Sequence, residues 1–462
     1  MSPPSLNQRV HTLYHLINDR GLYVNTNADV FLGPHETFPA GAENYAFRLL
    51  QPGGQAYASP LLFATLTSLL KHGTMLLTGA PGIGKTTGAE FAGHFFTGQP
   101  LEEILQSTIQ GHPQQTMEQM VARYHTGKLI KEGVEEVLPR KFLTSRVKII
   151  DEINRLDADK LSIILRLIDN GVAVYGDTLL RSTDGPLFAT ANYTDAGTFE
   201  LPPPAKDRFD AAVVVTSPQP WDLERIYSRG DEKLNGDLAK LLEIPNETNI
   251  APAEYDSIRK EILAVPLEDG VREYLQFAIA ALRFSESSSK EVARMTKGNA
   301  WAEEEAPGAH FDAFAHTLTR NELSVRTAKA LTRYAAALSW FTGKQTVDLE
   351  SVRAVWPYCT WHKLTPSEKL LQQHKVYAND RIGFAQHTLE QVDLDYAAVA
   401  GAPALLDYAV AMEAIGDDAQ AGKRRDITAN AISSLCSWQH PYGITLAKHL
   451  ETEYNEKMRL QH

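Results

Sequence analysis

Cysteine is scarce in this 462-residue chain, which contains only Cys359 and Cys436, far apart in the sequence. Two cysteines exclude the dense disulfide framework of a small secreted domain, and no cysteine-rich zinc motif is present. The amino terminus lacks an apolar signal core, and the longest apolar stretch, near Leu61–Leu70, is about half as long as a membrane span. These absences predict a soluble cytoplasmic protein with no membrane segment.

Positive charge is also in short supply, because 45 Lys and Arg residues against 57 Asp and Glu residues leave a formal net charge of −12. Nucleic-acid proteins usually carry a basic excess, so nucleic acid is an unfavoured partner, although a local basic lining is compatible with an acidic total. His11 and His15 are spaced i, i+4 on an expected amphipathic helix, but they lack the Glu of an H-E-x-x-H zinc motif. We interpret them as surface or core histidines.

The clearest positive signal is the octet at residues 79–86, which reads Gly-Ala-Pro-Gly-Ile-Gly-Lys-Thr and fits the phosphate-loop pattern G-x-x-x-x-G-K-[ST]. Its glycines allow backbone N–H groups to face phosphates. Lys85 is expected to reach the β- and γ-phosphates, and the Thr86 hydroxyl is expected to ligate Mg²⁺. The predicted nucleotide-binding residues are Gly79, Ala80, Pro81, Gly82, Ile83, Gly84, Lys85, Thr86 and Thr87.

The flanks of the octet agree with this prediction. Met75–Leu77 precedes it as a buried strand would, and a helix-compatible stretch over residues 87–96 follows, so a helix amino terminus faces the expected anion. The alternative is a glycine-rich turn between strand and helix that holds no ligand.

A second apolar strand, Val147–Ile150, ends at Asp151 and Glu152, about 65 residues beyond the phosphate loop. Such a strand is expected to deliver a carboxylate to the metal site. Asp151 is predicted to hold Mg²⁺ through its water shell, and Glu152 to orient and polarise the attacking water. The alternative is an ordinary acidic pair on the surface.

Strand and helix signals alternate from residue 60 to residue 216, which predicts an α/β fold with a parallel sheet. The turn signal Gly176-Asp177 predicts a hairpin over 172–180, and the polar stretch 102–131 is interpreted as an insertion. Helical periodicity dominates from Pro218 onward, apart from an expected loop at 285–308. The predicted domains are an amino-terminal extension (1–53), a nucleotide-binding domain (54–217), an α-helical lid (218–364) and a helical carboxyl-terminal extension (365–462).

Several ordered motifs resemble those of the MoxR-type AAA+ ATPases, in the helix-2-insert clade. Residues 151–155 read D-E-I-N-R, as in that family's signature, and residues 188–192 resemble its sensor-1 strand. Residues 197–209 resemble its G-T-Y-x-L-P-E-A-x-x-D-R-F block, and residues 324–328 resemble its S-P-R-A sensor-2 helix. There are departures, since Pro203-Pro204 replaces Glu-Ala and Val325 replaces Pro. The resemblance covers roughly residues 54–364 and implies a P-loop NTPase (AAA+) core with a helical lid.

The resemblance also implies ATP and Mg²⁺ as cofactors and a role for four catalytic residues. Beside Glu152, Asn192 is implied to position the water, and Arg208 to act as an arginine finger on the nucleotide of a neighbouring subunit. Arg326 is implied to contact the phosphates from the lid of its own chain. Each of these residues also has an alternative interpretation without a catalytic role. Asn192 would be a polar turn residue, Arg208 a surface arginine paired with Asp207 or Asp210, and Arg326 a solvated residue on a helix face. Arg155 is a further candidate for action across a subunit boundary.

An arginine finger acting between subunits implies a homo-oligomeric ring, which in this family is a hexamer. The hairpin at 172–180 and the insertion near 109–123 are then expected at the central pore or its rim. Tyr175, Tyr124 and His125 are candidates to grip a polypeptide, with ordinary packing as the alternative. Trp356, Tyr358 and Trp361 are expected in the core of the lid.

The main functional prediction is an ATP-hydrolysing, chaperone-like remodeller of protein complexes. The resemblance implies a partner with a von Willebrand factor A domain and a protein client. Two alternatives remain open at this point: a nucleic-acid-associated AAA+ motor, and a scaffold that ATP switches without rapid turnover.

Overall fold

A computed structural model describes residues 4–20, 28–40, 45–192, 199–224, 227, 242–282, 314–438 and 441–460. The chain divides into two compact units. The first comprises Met1–Glu268 with Lys329–His362, and the second comprises Asp269–Ala328 with Lys363–His462. This division differs from the predicted domains, whose boundaries at 53, 217 and 364 stay predictions. The expected loop at 285–308 lies outside the described residues.

A five-stranded parallel sheet forms the centre of the first unit. Its strands are apolar and nearly all buried, because helices that connect parallel strands cover both faces of such a sheet. The prediction of an α/β fold with a parallel sheet is confirmed. The strands, in their order across the sheet, are Ala211–Val214, Thr74–Thr78, Leu187–Ala191, Lys148–Asp151 and Ile109–Gln110.

The edge strand Ile109–Gln110 corrects the interpretation of residues 102–131 as a plain insertion. Ile109 pairs with Ile150 and Gln110 pairs with Asp151, in parallel register. Only Ile109 of the two is buried, and a two-residue strand is too short to produce an alternating pattern in the sequence. After the helix Leu101–Ser107, the segment therefore contributes a strand to the sheet, next to the predicted metal ligand.

The other strands in the described part of the chain form four two-stranded antiparallel ribbons. The hairpin Val172–Tyr175 with Thr178–Arg181 confirms the predicted hairpin, and Gly176 takes the left-handed conformation that its turn requires, with φ of 55°. The other ribbons are Val30–Leu32 with Gln55–Tyr57, His35–Ala40 with Tyr45–Leu50, and Ala122–Tyr124 with Val137–Pro139.

Helices of the first unit pack around this sheet. Ser59–Leu69 is buried along its whole length, and Asp157 caps the amino end of Ala158–Asn170 by accepting a hydrogen bond from the Lys160 N–H. The helices of this unit are Leu6–Asp19, Ser59–Leu69, Lys85–Thr97, Leu101–Ser107, Met117–Met120, Thr126–Glu132, Lys141–Thr144, Ala158–Asn170, Pro203–Lys206, Pro252–Ala264, most of Val325–Phe341, and Leu349–Thr360.

The second unit is helical in its described part, as predicted. Tyr274 packs its ring against Tyr396 at 5.1 Å and donates a hydrogen bond to Asp393 over 2.7 Å, which joins two of the helices. No single helix in the described ranges is long and apolar enough to cross a membrane. The consecutive helices Arg381–Val399 and Pro403–Gly416, which are bent by 74° at the break between them, reach the length and composition of a membrane span only when taken together. The helices are Val271–Ala281, the start of Val325–Phe341, Glu368–Gln373, Arg381–Val399, Pro403–Gly416, Arg424–Ser437 and Pro441–Leu460.

Three aromatic residues expected in the core of a lid lie instead in the first unit. Trp356 and Tyr358 are buried, and Tyr358 donates a hydrogen bond to Asp29 over 3.0 Å. The Trp361 indole donates to the carbonyl of Ala212, in the outermost strand of the central sheet, over 2.6 Å. The apolar pattern of these residues predicted that they pack in a core but did not indicate which core they join.

A bidentate ion pair joins the amino-terminal helix Leu6–Asp19 to the helix Pro252–Ala264, since Arg9 donates to both carboxylate oxygens of Glu254 over 2.6 and 3.0 Å. The hydrogen bond from Arg9 lowers the pKa of Glu254 to about 2. The pair therefore contributes its full stabilisation of the fold at pH values above the ordinary glutamate pKa, and this contribution is lost as the pH falls toward 2.

We expect Glu254→Gln to lower the unfolding midpoint at pH 7 by about 2 °C, because the pair is partly exposed and such pairs contribute little. Thermal unfolding at pH 7 and pH 3 measures the effect, and the difference from wild type should shrink at the lower pH. The exposed Glu247→Gln variant is the control and should match wild type at both pH values. A difference that grows on acidification would contradict the assigned pKa.

Candidate nucleotide-binding site

The phosphate loop joins the strand Thr74–Thr78 to the helix Lys85–Thr97, as the sequence predicts. Gly82 and Gly84 have φ of 77° and 85°, a conformation that other residues adopt only with strain. Gly79 lies so close to the backbone that a Cβ there would stand 2.4 Å from the Val215 carbonyl oxygen. The glycines are therefore required by the path of the loop, which winds around the amino end of a helix and so exposes unpaired N–H groups to an anion.

Lys85 is the first residue of that helix and is 6% exposed. Its ammonium group donates to the loop carbonyls of Gly79 over 2.9 Å and of Ala80 over 2.6 Å. The cation is thus held inside the loop that it is predicted to serve, where the low local dielectric strengthens its attraction for phosphate.

The predicted metal ligands Thr86 and Asp151 are in contact, because the Thr86 hydroxyl donates to Asp151 Oδ1 over 2.6 Å. Two residues that the sequence reasoning did not assign complete the environment of this carboxylate. Thr190 donates to the same oxygen over 2.5 Å, and the Gln110 amide donates to Oδ2 over 2.9 Å. Four neighbouring side chains thereby converge at the carboxyl ends of three adjacent parallel strands and at the start of the helix.

Glu152 adopts a left-handed backbone conformation, with φ of 53° and ψ of 49°. A residue with a side chain is strained in this region, typically by about 1 kcal/mol or more, so the surroundings must enforce it. The Thr190 hydroxyl accepts a hydrogen bond from the Glu152 N–H over 2.9 Å. On the other side, a Cβ at Gly111 would lie 2.1 Å from the Glu152 carbonyl oxygen, so only glycine fits there. The turn aims the Glu152 carboxylate away from the strand.

Asn192 directly follows the neighbouring strand Leu187–Ala191, and its amide donates a hydrogen bond to Glu152 Oε1 over 2.7 Å. The other oxygen of Glu152 is 3.1 Å from Arg155, so the arginine proposed to act between subunits is paired within its own chain here. Asn154 donates to the Asn192 carbonyl over 2.7 Å. The Asn192 side-chain oxygen is buried without a hydrogen-bond partner in the described structure, which leaves an acceptor available beside Glu152.

Arg208 lies at the opposite edge of the sheet from the phosphate loop. Its carbonyl accepts a hydrogen bond from Thr74, the first residue of the strand whose far end leads into the loop. Five residues of strand span about 16 Å, which is longer than an arginine side chain. Arg208 is therefore out of reach of the phosphate loop of its own chain.

The Arg208 side chain is bound within the chain to Asp169 at 2.8 Å and to the Pro204 carbonyl at 2.6 Å. Neither acid named in the surface alternative holds it, and Asp210 instead pairs with Arg333 at 3.2 Å. Both side chains of the Arg208–Asp169 pair retain some exposure, so the guanidinium is accessible at the surface of the unit.

The remaining predicted residues are more scattered. Arg326 is exposed at the start of the helix Val325–Phe341 and belongs to the second unit. Tyr175 is buried, with its ring tilted against that of Tyr124 at 5.1 Å between centroids, and it donates a hydrogen bond to Glu118 over 3.3 Å. This agrees with the packing alternative for Tyr175. The His125 ring caps the helix that follows it, by accepting from the Lys128 N–H. Residues 193–198, including the first two of the 197–209 block, lie outside the described residues.

The residues present fit a nucleotide triphosphate with Mg²⁺. A loop held open by obligatory glycines, at a helix amino terminus and with a buried lysine, suits a phosphate chain. A hydroxyl and a carboxylate side by side are hard oxygen donors of the kind that Mg²⁺ prefers. Lys85, Thr86 and Asp151 are the side chains that would hold the pair.

Comparison with known proteins agrees with this geometry. Residues 74–209 match the family model of the AAA domain, dynein-related subfamily. The uncharacterized protein YeaC of Bacillus subtilis (strain 168) is 26% identical over 227 residues, which cover 46% of this chain and 62% of YeaC. A crystal structure of a candidate ATPase from Cytophaga hutchinsonii matches with a TM-score of 0.55 at 18% identity, covering 84% of this chain and 96% of that one, and shows a shared fold. The matched range contains the phosphate loop and the whole of the Asp151 cluster, so this chain contains an AAA domain at residues 74–209.

Proposed function

We propose that the chain is an ATP-hydrolysing ring ATPase of the MoxR type, which remodels protein complexes in the cytoplasm. The observation that carries the proposal is the continuous hydrogen-bonded path from Thr86 through Asp151 and Thr190 to Glu152 and Asn192. A merely structural phosphate loop does not need a strained glutamate, held by an asparagine, next to the metal ligand.

Each side chain has a role that its position supports. Lys85 and the loop N–H groups bind the phosphates, and Thr86 and Asp151 hold the metal. Bound Mg²⁺ neutralises charge on the β- and γ-phosphates. Glu152 accepts the proton of the attacking water, while Asn192, through its amide bond to Glu152 and its available oxygen, fixes where that water lies.

The position of Arg208 supports a ring. Because its own phosphate loop is at the other end of the strand that begins at Thr74, this guanidinium can serve only the nucleotide of a neighbouring subunit. Subunits that each supply an arginine to the next associate head to tail, and such interfaces close into rings. A hexamer is the ring size that the family resemblance favours.

The client and partner follow from the resemblance to the MoxR branch. The hairpin Val172–Arg181 is bound to the segment after Gln110 through Tyr175, Tyr124 and Glu118, so motion at the Asp151 cluster has a packed route to the hairpin. We infer that this assembly transmits the nucleotide state to a protein client. A protein with a von Willebrand factor A domain is the expected adaptor.

A nucleotide trap tests the proposal. Glu152→Gln, tagged and purified from its native cells with ATP and Mg²⁺, should form a ring that retains a discrete protein, above all one with a von Willebrand factor A domain. Lys85→Ala is the matched control, because it should fail to bind ATP and therefore retain no client protein. A trapped ring that retains nucleic acid instead, with salt-sensitive binding, would contradict the protein remodeller and favour the motor.

Gln110 yields a prediction about Mg²⁺. Gln110→Leu removes the donor to Asp151 Oδ2 and leaves the carboxylate held only at Oδ1, by Thr86 and Thr190. We expect a roughly tenfold rise in the Mg²⁺ concentration that half-saturates ATP hydrolysis, with an unchanged unfolding midpoint, because partners of metal ligands typically contribute this much. Steady-state assays across a Mg²⁺ titration measure it. The exposed Gln114→Leu is the control, and an unchanged Mg²⁺ dependence in the Gln110 variant would remove the positioning role.

A further inference from the structure

The ribbon His35–Ala40 with Tyr45–Leu50 lies at the surface of the first unit, and we call it the amino-terminal arm. Every residue over 35–38 and 47–50 is exposed, on both faces of the ribbon. Two strands alone are marginally stable in water, and such a ribbon gains stability when another surface covers one of its faces. The described part of this chain leaves both faces of the arm open to solvent.

One face of the arm is largely apolar. Phe38 pairs with Phe47 across the ribbon, and Leu49, opposite Glu36, lies two residues beyond Phe47, so these side chains share a face. Phe47 is 62% exposed and Leu49 is 59% exposed. A single exposed leucine is ordinary, but two aromatic rings beside a leucine form a patch of the kind that marks an interaction surface. The opposite face is more polar and carries His35, Thr37, Arg48 and Leu50.

The base of the arm is fixed, so the direction in which the arm projects is defined. The arm continues the ribbon Val30–Leu32 with Gln55–Tyr57 along the same two segments of chain. Where the two ribbons meet, the Gly33 N–H donates to the Glu350 carboxylate over 2.6 Å. Lys344 donates to the other oxygen of Glu350 over 2.7 Å, which holds this acceptor in place.

The helix Ser59–Leu69 places this base on the side of the central sheet that carries the phosphate loop. The helix follows directly on Gln55–Tyr57 and ends shortly before the strand Thr74–Thr78, against which it packs. Its 11 residues span about 16 Å, which is the length of that strand, so its first residue is level with the carboxyl end of the strand. The phosphate loop begins at that end.

The helix Leu349–Thr360 gives the same position independently. The His362 ring, just after its end, is 3.1 Å from the Phe209 carbonyl oxygen, which precedes the strand Ala211–Val214. Glu350, which holds the base of the arm, is at the other end of this helix, whose 12 residues span about 18 Å. The arm therefore projects from the phosphate-loop side of the sheet.

The opposite edge of the sheet, formed by the amino ends of its strands, carries Arg208 and an apolar side chain, Leu263, that is 73% exposed. Leu263 lies one helical turn beyond Arg259. Arg259 donates to Asp184 over 2.9 Å, and Asp184 just precedes the strand that begins at Leu187. This edge thus combines an arginine that its own nucleotide site cannot use with an apolar point of contact.

We propose that the apolar face of the arm docks on a second copy of this chain, at the edge that carries Arg208 and Leu263. The inference rests on the proposed ring, in which head-to-tail association turns the phosphate-loop side of one subunit toward the Arg208 side of the next. Docking of Phe38, Phe47 and Leu49 would remove on the order of 300 Å² of apolar surface from water. This is more than a third of the roughly 800 Å² that each partner buries in a stable interface.

Assembly of the full chain with ATP and Mg²⁺, followed by analytical ultracentrifugation, tests the contact. Phe47→Glu should raise the protein concentration needed for half-assembly by at least about tenfold, because it places a charge in an apolar contact. Leu263→Glu should have the same defect on the other side of the interface. Thr37→Glu is the matched control, since it places the same charge on the opposite face of the arm and should assemble like wild type. If the Phe47 and Thr37 variants assembled equally well, the arm contact would be rejected while the ring stood. A wild-type chain that forms no ring would instead reject the proposed ring, and the arm contact with it.

Photo-crosslinking gives a second measurement that leaves the apolar character of the arm intact. Phe47 is replaced by p-benzoylphenylalanine, and rings are assembled from a mixture of isotopically light and heavy subunits. We expect cross-linked peptides of mixed isotope content that join the arm to the helix Pro252–Ala264 of the neighbouring subunit. Cross-links confined to single chains in assembled rings would mean that the arm folds back on its own subunit, and the proposal would be overturned.

Discussion

Glu152→Gln is expected to bind ATP as well as wild type and to hydrolyse it roughly a thousandfold more slowly. The substitution preserves the shape of the side chain and its contact with the Asn192 amide, but it removes the group that accepts a proton from water. Nucleotide binding measured by fluorescence titration, together with phosphate release under single-turnover conditions, separates the two effects.

The control for this variant is Asp159→Asn, which removes an exposed carboxylate on the helix that follows Glu152. It should leave both binding and hydrolysis unchanged. If Glu152→Gln retained more than about a tenth of wild-type turnover, general base catalysis by this residue would be excluded, because removal of such a group usually costs about 10²–10⁴ in rate.

Arg208→Ala is expected to bind ATP normally and to lose about 10³-fold or more in turnover, the size of effect that an arginine finger supplies in related nucleotide hydrolases. The charge on the γ-phosphate in the transition state then has no guanidinium beside it. Steady-state hydrolysis at saturating ATP measures the loss, and size-exclusion chromatography shows whether the ring still assembles.

Asp169→Asn separates this role from a structural one. It breaks the intrachain pair with Arg208 but leaves the guanidinium in place. If Arg208 served only to bind the end of the helix Ala158–Asn170, the two variants would have similar defects. We expect Asp169→Asn to stay within about a factor of three of wild type, because partly exposed ion pairs contribute little.

Much of the site could be predicted because its residues follow local rules. The phosphate loop needs glycines at fixed positions within one turn, and Asp151 and Glu152 follow directly on a strand whose apolar run is unmistakable. Asn192 was expected beside Glu152 from the family resemblance, and its amide donates to Glu152 because neighbouring parallel strands bring their carboxyl ends together. The assigned functions of these residues stay predictions until the variants are measured.

The residues that sequence reasoning missed act through long-range contacts. Thr190 is a buried hydroxyl in an otherwise apolar strand, which was a signal that it binds a polar group across the sheet. Gln110 had no such signal, since its strand is only two residues long. Gly111 is fixed by the approach of the Glu152 backbone, a contact between segments about 40 residues apart that no local pattern encodes.

The extent of the first unit was also hidden from the sequence. Helical signals occur before Lys329, between Lys329 and His362, and after His362, yet only the residues between those two join the first unit. Trp361 shows why: its indole N–H binds a carbonyl of the central sheet, and an aromatic residue at helical spacing does not indicate which core it enters.

Mixing two inactive variants tests the central claim most directly. Lys85→Ala subunits should not bind ATP but retain Arg208, whereas Arg208→Ala subunits retain the whole nucleotide site and lack the arginine. If a ring of subunits hydrolyses ATP with an arginine from the neighbour, equimolar mixing should restore activity well above that of either variant alone, as mixed rings pair a loaded site with an intact arginine. A mixture that assembles and stays inactive would contradict the account.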